Sequence, residues 1–249
     1  MTDKLHHTKG IVLRTVKYGE TSIIVSIYTE LFGIQSYLVN GVRSSLKKAG
    51  GKASMFQPAA ILDMVVYHNE NKNLQRIKEY KWQLLYQQIF SDIPRHAVTQ
   101  FMVELMTKCL KQPEPNSDLF HFCEDALLCL DTCSDAVMAN FALYFALNFA
   151  TFFGFRIDDR YSGRNHFLDL QEGSFVSENP GHPYFLEGEE ARVSSELLKV
   201  MHPGELRDIK LNHSFRRVLL HAYENYYALH LPDFGTLKTL PVLKAILGS

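Results

Sequence analysis

The stretch that decides the fold consists of two runs of β-branched residues joined by a glycine turn. It reads Lys9-Gly10-Ile11-Val12-Leu13-Arg14-Thr15-Val16, then Tyr18-Gly19-Glu20, then Ser22-Ile23-Ile24-Val25-Ser26-Ile27-Tyr28. Runs of this kind on either side of a short turn are typical of paired strands. The sequence therefore predicts a β-hairpin near the start of the chain.

Three more strand-like runs follow, at residues 34–39, 59–67 and 74–80. Five short strands, with one long interruption between the third and the fourth, match a small Greek-key barrel of the OB type. An SH3-like barrel has a similar number of strands, so the pattern alone leaves both barrels open.

After residue 81 the apolar residues recur with a helical period. Helices are predicted at 82–90, 94–111, 117–130, 135–153, 194–201, 212–231 and 236–247, and strand candidates at 166–168 and 174–176. We expect an α+β protein in which an N-terminal five-stranded OB-type β-barrel (1–80) precedes an α-helical domain (81–249). Residues 155–190 form a loop-rich insertion in the helical domain.

The helix predicted at 135–153 is apolar nearly all round. Its small residues and its phenylalanines fall on different faces, and Asn140, Asn148 and Thr151 interrupt it. Such sorting suits a helix packed against several neighbours. We expect a core helix here rather than a membrane span, and no contact with a membrane.

The long interruption holds a basic loop, Gly41-Val42-Arg43-Ser44-Ser45-Leu46-Lys47-Lys48-Ala49-Gly50-Gly51-Lys52, which contains no carboxylate. Lys and Arg release condensed counterions when they contact phosphates, so the loop suits a phosphate polymer. A loop that only keeps the protein soluble has the same composition. Residues 1–80 hold 11 Lys and Arg against 6 Asp and Glu, whereas the remainder is acidic. This asymmetry favours an anionic ligand on the first part of the chain.

Aromatic residues alternate with cations in the predicted barrel, as they do in OB domains that bind single strands. The aromatic residues are Tyr18, Tyr28, Tyr37, Phe56 and Tyr67. Each of them alone also fits the core of a small barrel. We expect Arg14 and Lys17 to assist Arg43, Lys47, Lys48 and Lys52 in contacting phosphates without sequence preference.

Patterns that indicate catalysis are weak. Gly50-Gly51-Lys52-Ala53 is like the end of a phosphate-binding loop, but the first glycine and the hydroxyl residue after the lysine are missing. Asp158 and Asp159 fit a turn better than an acid–base pair. The histidines of the 212–231 helix are typical of surface positions rather than metal ligands. We predict no catalytic residue, no metal and no cofactor. The four cysteines form no CxxC pair and are expected to be free thiols in a reducing cytoplasm.

Motifs along the whole chain, in order, resemble the RecO family of DNA repair and recombination mediators. They are Thr8-Lys9-Gly10-Ile11-Val12-Leu13, Tyr18-Gly19-Glu20-Thr21-Ser22-Ile23-Ile24-Val25, Asn40-Gly41-Val42-Arg43, Phe56-Gln57-Pro58, Phe153-Gly154-Phe155 and Tyr226-Tyr227-Ala228-Leu229-His230-Leu231. The resemblance implies a cytoplasmic, nucleoid-associated protein that binds single- and double-stranded DNA and anneals strands. It also implies contacts with RecR and with the acidic C-terminal tail of the single-strand-binding protein, so that RecA can displace that protein.

One departure from the family concerns zinc. Many members carry a four-cysteine zinc module after the Gly-Phe motif, but residues 155–190 of this chain contain no cysteine. We therefore predict no zinc there, and expect packing and hydrogen bonds to hold the insertion instead. An OB-fold adaptor that binds RNA or protein partners, with no role on DNA, remains the alternative function.

The predicted helix at 212–231 offers a position for the acidic tail. Its inner face should carry Phe215, Val218, Leu219, Ala222, Tyr226 and Leu229, and its outer face Arg216, Arg217, Glu224 and Tyr227. Arg216 and Arg217 are then exposed cations that suit an acidic peptide. Local pairing with Glu224 is the other interpretation of these two residues.

Overall fold

The structure is a computed structural model that describes residues 4–42 and 50–247. The chain divides into two compact units. The first comprises Met1–Tyr86 and Met106–Leu128, and the second comprises Gln87–Leu105 and Cys129–Ser249.

The first unit contains a sheet of five strands, β1 (Lys4–Tyr18), β2 (Ser22–Thr29), β3 (Gly33–Val39), β4 (Ile61–His68) and β5 (Gln75–Trp82), with a short helix α1 (Gly50–Ser54) between β3 and β4. The strand order is β1-β2-β3-β5-β4. The long β1 pairs with β4 through its first half and with β2 through its second half, so the order returns to β1. The α+β class predicted from the sequence, with an OB-type N-terminal domain, is confirmed.

Alternation along the strands builds the core of this sheet, because successive side chains point to opposite faces. Val25 on β2 lies opposite Tyr37 on β3, and both are completely buried. Their neighbours Ile24 and Leu38 also lie opposite each other, and both are only half-buried. The first pair therefore faces the core and the second pair faces outward.

Helix α3 (Ser117–Thr132) contributes its first turns to the same unit. The ammonium of Lys9 on β1 lies 3.0 Å from both carboxylate oxygens of Glu124. The hydroxyl of Tyr28 on β2 donates to the carbonyl oxygen of Asn116, and its ring packs against Phe120. The Lys9–Glu124 ion pair, the Tyr28–Asn116 hydrogen bond and the Tyr28–Phe120 ring contact thus hold the helix to the outside of β1 and β2.

The second unit is mainly helical. It includes α2 (Ile93–Cys109) as far as Leu105. The elements that follow are the helix α4 (Asp135–Ala150), a small sheet of β6 (Phe167–Asp169), β7 (Ser174–Val176) and β8 (Phe185–Leu186), and the helices α5 (Gly188–Leu198), α6 (His213–His230) and α7 (Leu240–Ile246). Among the described residues one stretch, Asp135–Phe153, is long and apolar enough to cross a bilayer, and 67% of it is buried inside the protein. That degree of burial is typical of a core helix.

The short helix predicted at residues 82–90 was wrong. Trp82 ends β5, and the backbone N–H groups of Gln87, Gln88 and Ile89 donate to the carboxylate of Asp131 instead of to a helix. Asp131 is almost fully buried, so these bonds satisfy both the carboxylate and a stretch of backbone that forms no regular structure.

The insertion at 155–190 is held by contacts within the second unit. The Tyr226 hydroxyl donates to the carbonyl oxygen of Phe155, and a ring nitrogen of His230 lies 3.0 Å from the carbonyl oxygen of Leu170. The rings of Phe155 and His230 stack with centroids 5.3 Å apart. Within residues 4–42 and 50–247 no group of three or more His, Cys, Asp or Glu side chains is placed to hold a metal ion.

Candidate nucleic-acid interface

Three of the six cations predicted to contact DNA lie outside the described residues. These are Arg43, Lys47 and Lys48, which belong to residues 43–49. Arg14, Lys17 and Lys52 are described, and all three are exposed. The geometry of the interface is therefore built from β1, β2 and α1.

The hairpin formed by the end of β1 and the start of β2 projects beyond the core. Every residue from Arg14 to Glu20 is exposed. Arg14 lies opposite Ser26 and Val16 lies opposite Ile24, which places them on the outer face of the sheet. Lys17 lies opposite the buried Ile23 and so takes the other face. The hairpin presents a cation on each face.

A β-bulge in β1 decides which face of the sheet Arg14 and Lys17 take. The register of β1 against β2 shifts between Val12 and Arg14, and Val12 and Leu13 are both buried. The bulge adds one residue to β1 and reverses the side chains that follow it. Without it, Arg14 would point to the core side of the sheet.

Helix α1 carries the third described cation, Lys52. On the hairpin, Thr15 shares the face of Lys17, and its hydroxyl donates to the carbonyl oxygen of Phe56 just after α1. Two backbone hydrogen bonds, between Val12 and Ala60 and between Ala59 and Val12, attach the same segment to β1. The segment that follows the basic loop is thus fastened to β1.

The structure sorts the five candidate aromatic residues. Tyr28, Tyr37 and Phe56 are buried, and burial raises the pKa of Tyr37 well above its ordinary value. Tyr18 is 53% exposed at the tip of the hairpin, and Tyr67 is half-buried on the outer face of β4. Only these last two of the five are accessible for stacking on a base.

Arg76 is a candidate that the sequence reasoning missed. It lies on the outer face of β5, opposite Leu38 on β3 and Tyr67 on β4, and it is exposed. The outward row Val16, Ile24, Leu38, Arg76 and Tyr67 crosses five strands. The alternation of residues 74–80 indicates that the side chain of Arg76 points outward. That Leu38 lies beside it follows only from the pairing of β3 with β5, which the sequence does not show.

The second unit contains the two arginines considered for an acidic tail, and they differ. Arg216 is half-buried, its Nε donates to Oδ1 of Asn140 at 2.9 Å, and burial lowers its pKa. Arg217 is exposed and lines a shallow cavity of about 330 Å³. The cavity is formed by Ser214, Arg217, Val218, His221 and Lys244. The expectation that both arginines are exposed holds only for Arg217.

The outer face predicted for α6 was also wrong at Tyr227. This residue is buried, and its hydroxyl donates to the carbonyl oxygen of Ala146 at 2.7 Å. Val218, assigned to the inner face, is 47% exposed and lies beside Arg217 in the cavity. The buried face of α6 includes Tyr223 and Tyr227 and is therefore rotated relative to the face predicted from the sequence. This rotation leaves Val218 exposed, and the cavity has an apolar side chain beside Arg217 and Lys244.

Comparison with known proteins covers nearly the whole chain. The model for "Recombination protein O N terminal" matches residues 1–86, and the model for "Recombination protein O C terminal" matches residues 90–240. The DNA repair protein RecO of Bacteroides fragilis is 35% identical over 97% of this chain and 99% of its own length. The proteins of the same name from Phocaeicola vulgatus and Christiangramia forsetii are 34% and 32% identical, over 97% and 98% of this chain and over 99% and 100% of their own lengths. The chain therefore belongs to the RecO family of DNA repair proteins.

Proposed function

We propose that this protein is a non-catalytic mediator of recombination in DNA repair, which acts in the cytoplasm on nucleoid DNA. It binds single- and double-stranded DNA, anneals complementary strands, and works with RecR to help RecA displace the single-strand-binding protein. The observation that carries the proposal is the projecting cationic hairpin of the N-terminal unit, in a chain that belongs to the RecO family throughout.

Phosphate neutralisation is the proposed basis of DNA binding. Arg14 and Lys17 extend from the two faces of the hairpin, and Lys52 extends from α1. Together with Arg43, Lys47 and Lys48 of the basic loop they supply six cations. If about four to six phosphates of a single strand are contacted, the plot of log K against log salt should have a slope of about −3 to −4.

The test replaces Lys47, Lys48 and Lys52 with Glu and measures binding of a labelled single-stranded oligonucleotide by fluorescence anisotropy over a range of salt. The matched control replaces Lys199, Lys210 and Lys238, which are exposed residues of the second unit, with Glu. Both variants change the net charge equally. We expect only the first to lose binding, across all sequences, with little change in the melting temperature. Equal losses in the two variants would show that net charge, and not the loop, controls binding.

The cavity beside Arg217 is the proposed site for the acidic tail of the single-strand-binding protein. Arg217 and Lys244 supply positive charge, and the exposed Val218 supplies an apolar contact. Arg216 contributes less, because its guanidinium already donates to Asn140. Titration with a tail peptide should show weaker binding for Arg217→Ala than for Arg216→Ala, with Arg207→Ala as the exposed control. Identical affinities in all three variants and the wild type would show that the tail does not bind in this cavity.

A further inference from the structure

Asn40 and Gly41, which directly follow β3, are the one Asn-Gly dipeptide in the sequence. Both residues are exposed, and Gly41 has a φ of +69°. Within residues 4–42 and 50–247, a methyl group added to Gly41 would meet nothing within 4 Å apart from its chain neighbours, and no carbonyl oxygen accepts from its backbone N–H. The backbone nitrogen of Gly41 therefore faces solvent and is not shielded by a side chain.

The side chain of Asn40 is held by an exposed hydrogen bond, in which its Oδ1 accepts from the hydroxyl of Ser22 at 3.0 Å. A single hydrogen bond at the surface contributes little net stability. Exposed side chains also change rotamer within picoseconds to nanoseconds. The amide carbon of Asn40 can therefore reach the backbone nitrogen of Gly41.

Other asparagines are held in place by the fold. The Oδ1 of Asn116 accepts from the backbone N–H of Leu119 at the start of α3. The side chain of Asn140 is buried and donates to the carbonyl oxygens of Leu206 and Ile209. Each of these side chains would have to break a contact that stabilises the protein before its amide could react, whereas Asn40 would not.

The reaction open to Asn40 and Gly41 is deamidation through a succinimide. The nitrogen of Gly41 loses its proton to a base in solution and bonds to Cγ of Asn40. The bond from Cγ to the side-chain nitrogen breaks, and that nitrogen takes up a proton and leaves as ammonia. Water then opens the five-membered ring at either carbonyl and gives aspartate or isoaspartate. One water is consumed and one ammonia is released, without an oxidant or a reductant.

The new carboxylate would lie near the cationic hairpin of β1 and β2. Ser22, the hydrogen-bond partner of Asn40, begins β2, and the next row of the sheet runs from Val39 through Ile23 to Lys17. Two strand spacings, about 10 Å in all, separate β3 from β1 in such a row. The Debye length is also about 10 Å at about 0.1 M salt, so a charge at Asn40 acts on a phosphate held by Lys17.

We propose that Asn40 is a site of spontaneous deamidation, and that the carboxylate formed there weakens the binding of nucleic acid by the hairpin. Affinity is then lost progressively as the protein ages. The modification follows from the chemistry of Asn40 and Gly41 alone, whereas its effect on binding rests on the proposed DNA-binding function.

To detect the modification, the full chain is incubated at mildly acidic and at mildly alkaline pH, digested with trypsin and sequenced by mass spectrometry. Trypsin releases peptide 18–43, in which Asn40 is the one asparagine. Asn71 is the internal control, because it is also exposed but is followed by Lys72, whose side chain hinders attack by the nitrogen. An isoaspartate-specific methyltransferase with labelled S-adenosylmethionine measures the isoaspartate product.

To detect the effect, binding of a labelled oligothymidylate is measured for fresh wild type, for incubated wild type and for Asn40→Gln incubated in the same way. Gln keeps the amide but would have to close a larger ring, so this variant stays unmodified. Asn40→Asp has the charge of the product. Asn179→Asp makes the same change of charge at an exposed position of the second unit.

We expect Asn40 to be converted, and faster at the higher pH, while Asn71 remains intact. Incubation of the wild type and Asn40→Asp should each weaken binding about two- to fivefold at about 0.1 M salt, because one lost phosphate contact lowers the salt slope on a single strand by about 0.7. Incubated Asn40→Gln and fresh Asn179→Asp should bind as tightly as fresh wild type.

If Asn40 is retained as fully as Asn71, the inference is wrong. Conversion of Asn40 with unchanged affinity would refute its effect on binding. If fresh wild type does not bind oligothymidylate at low salt, the proposed function is wrong instead, and the mass spectra still decide whether Asn40 reacts.

Discussion

The ion pair between Lys9 and Glu124 offers the most direct test of how α3 is held to the sheet. Glu124 is 6% exposed in its side chain, and Lys9 is 34% exposed. The ammonium lies 3.0 Å from each carboxylate oxygen, so both oxygens of a buried acid depend on one partner. Lys9→Met keeps the aliphatic stem and removes only the charge.

The expected loss of stability follows from the buried carboxylate of Glu124, which has no ion-pair partner once the charge of Lys9 is removed. Removing one partner of a fully buried pair destabilises a protein by about 3–5 kcal/mol, because an uncompensated charge remains inside. Since water reaches the ammonium of Lys9, we expect about 2–3 kcal/mol for Lys9→Met. Glu124→Gln should cost less, about 1–2 kcal/mol, because the lysine can turn to solvent. The double variant should be more stable than the sum of the two single changes predicts.

Urea unfolding measures these differences in the free energy of unfolding, and tryptophan fluorescence reports on the five-stranded sheet. Trp82 is the one tryptophan in the sequence, and it packs against the core of the five-stranded sheet. Lys81→Met is the control, because Lys81 is 75% exposed in its pair with Asp63 and should cost no more than about 1 kcal/mol. If Lys9→Met is no more destabilising than Lys81→Met at an unchanged m-value, the reasoning from burial is refuted.

Two more predictions concern the same unit. Gly33→Ala should destabilise it by more than about 2 kcal/mol, because Gly33 has a φ of +61° and a methyl group there would overlap the backbone of Glu114. Gly19→Ala, at a φ of +58° in open space, should cost only about 1 kcal/mol in the same urea assay, and equal costs would contradict the overlap. Burial and the nearby His6 lower the pKa of His68. The unfolded chain then takes up the proton first, so stability present above about pH 6.5 is lost as the pH falls toward the folded-state pKa. The melting temperature should drop less on acidification in His68→Phe, and an identical drop would exclude His68 as the cause.

The candidate interface could be predicted from the sequence only in part. The cations Arg14, Lys17 and Lys52 are exposed, as their charge requires, because burying an unpaired charge is costly. The aromatic residues were ambiguous, because Tyr37 and Tyr67 occupy similar strand-like runs. Their opposite positions follow from pairing: Tyr37 lies opposite buried Val25, and Tyr67 lies opposite the outward Arg76.

For the helices, too, the sequence predicted some features correctly and others not. The N-terminal end of α6 was predictable, because Asn212 caps it by accepting from the backbone N–H of Phe215. Which face of α6 is buried was predicted incorrectly at Tyr227, since the hydroxyl of a tyrosine can be buried where it finds a partner such as the carbonyl oxygen of Ala146. The irregular segment before α2 depends on Asp131, a residue more than forty positions away.

The sequence by itself determined the five strands of the first sheet, the long helices of the second unit, the turn at Gly19, the buried character of α4 and the basic character of the first unit. Each of these depends on residues close together in the chain, through alternation, helical period, turn chemistry and charge. Only the tertiary structure decided which face each side chain takes after the bulge at Leu13, and which residues surround the β4–β5 turn. Those features depend on how β1 pairs with β2 and on how β5 pairs with β3 and β4. The register of strands distant in sequence is set by packing of the whole sheet rather than by any local pattern.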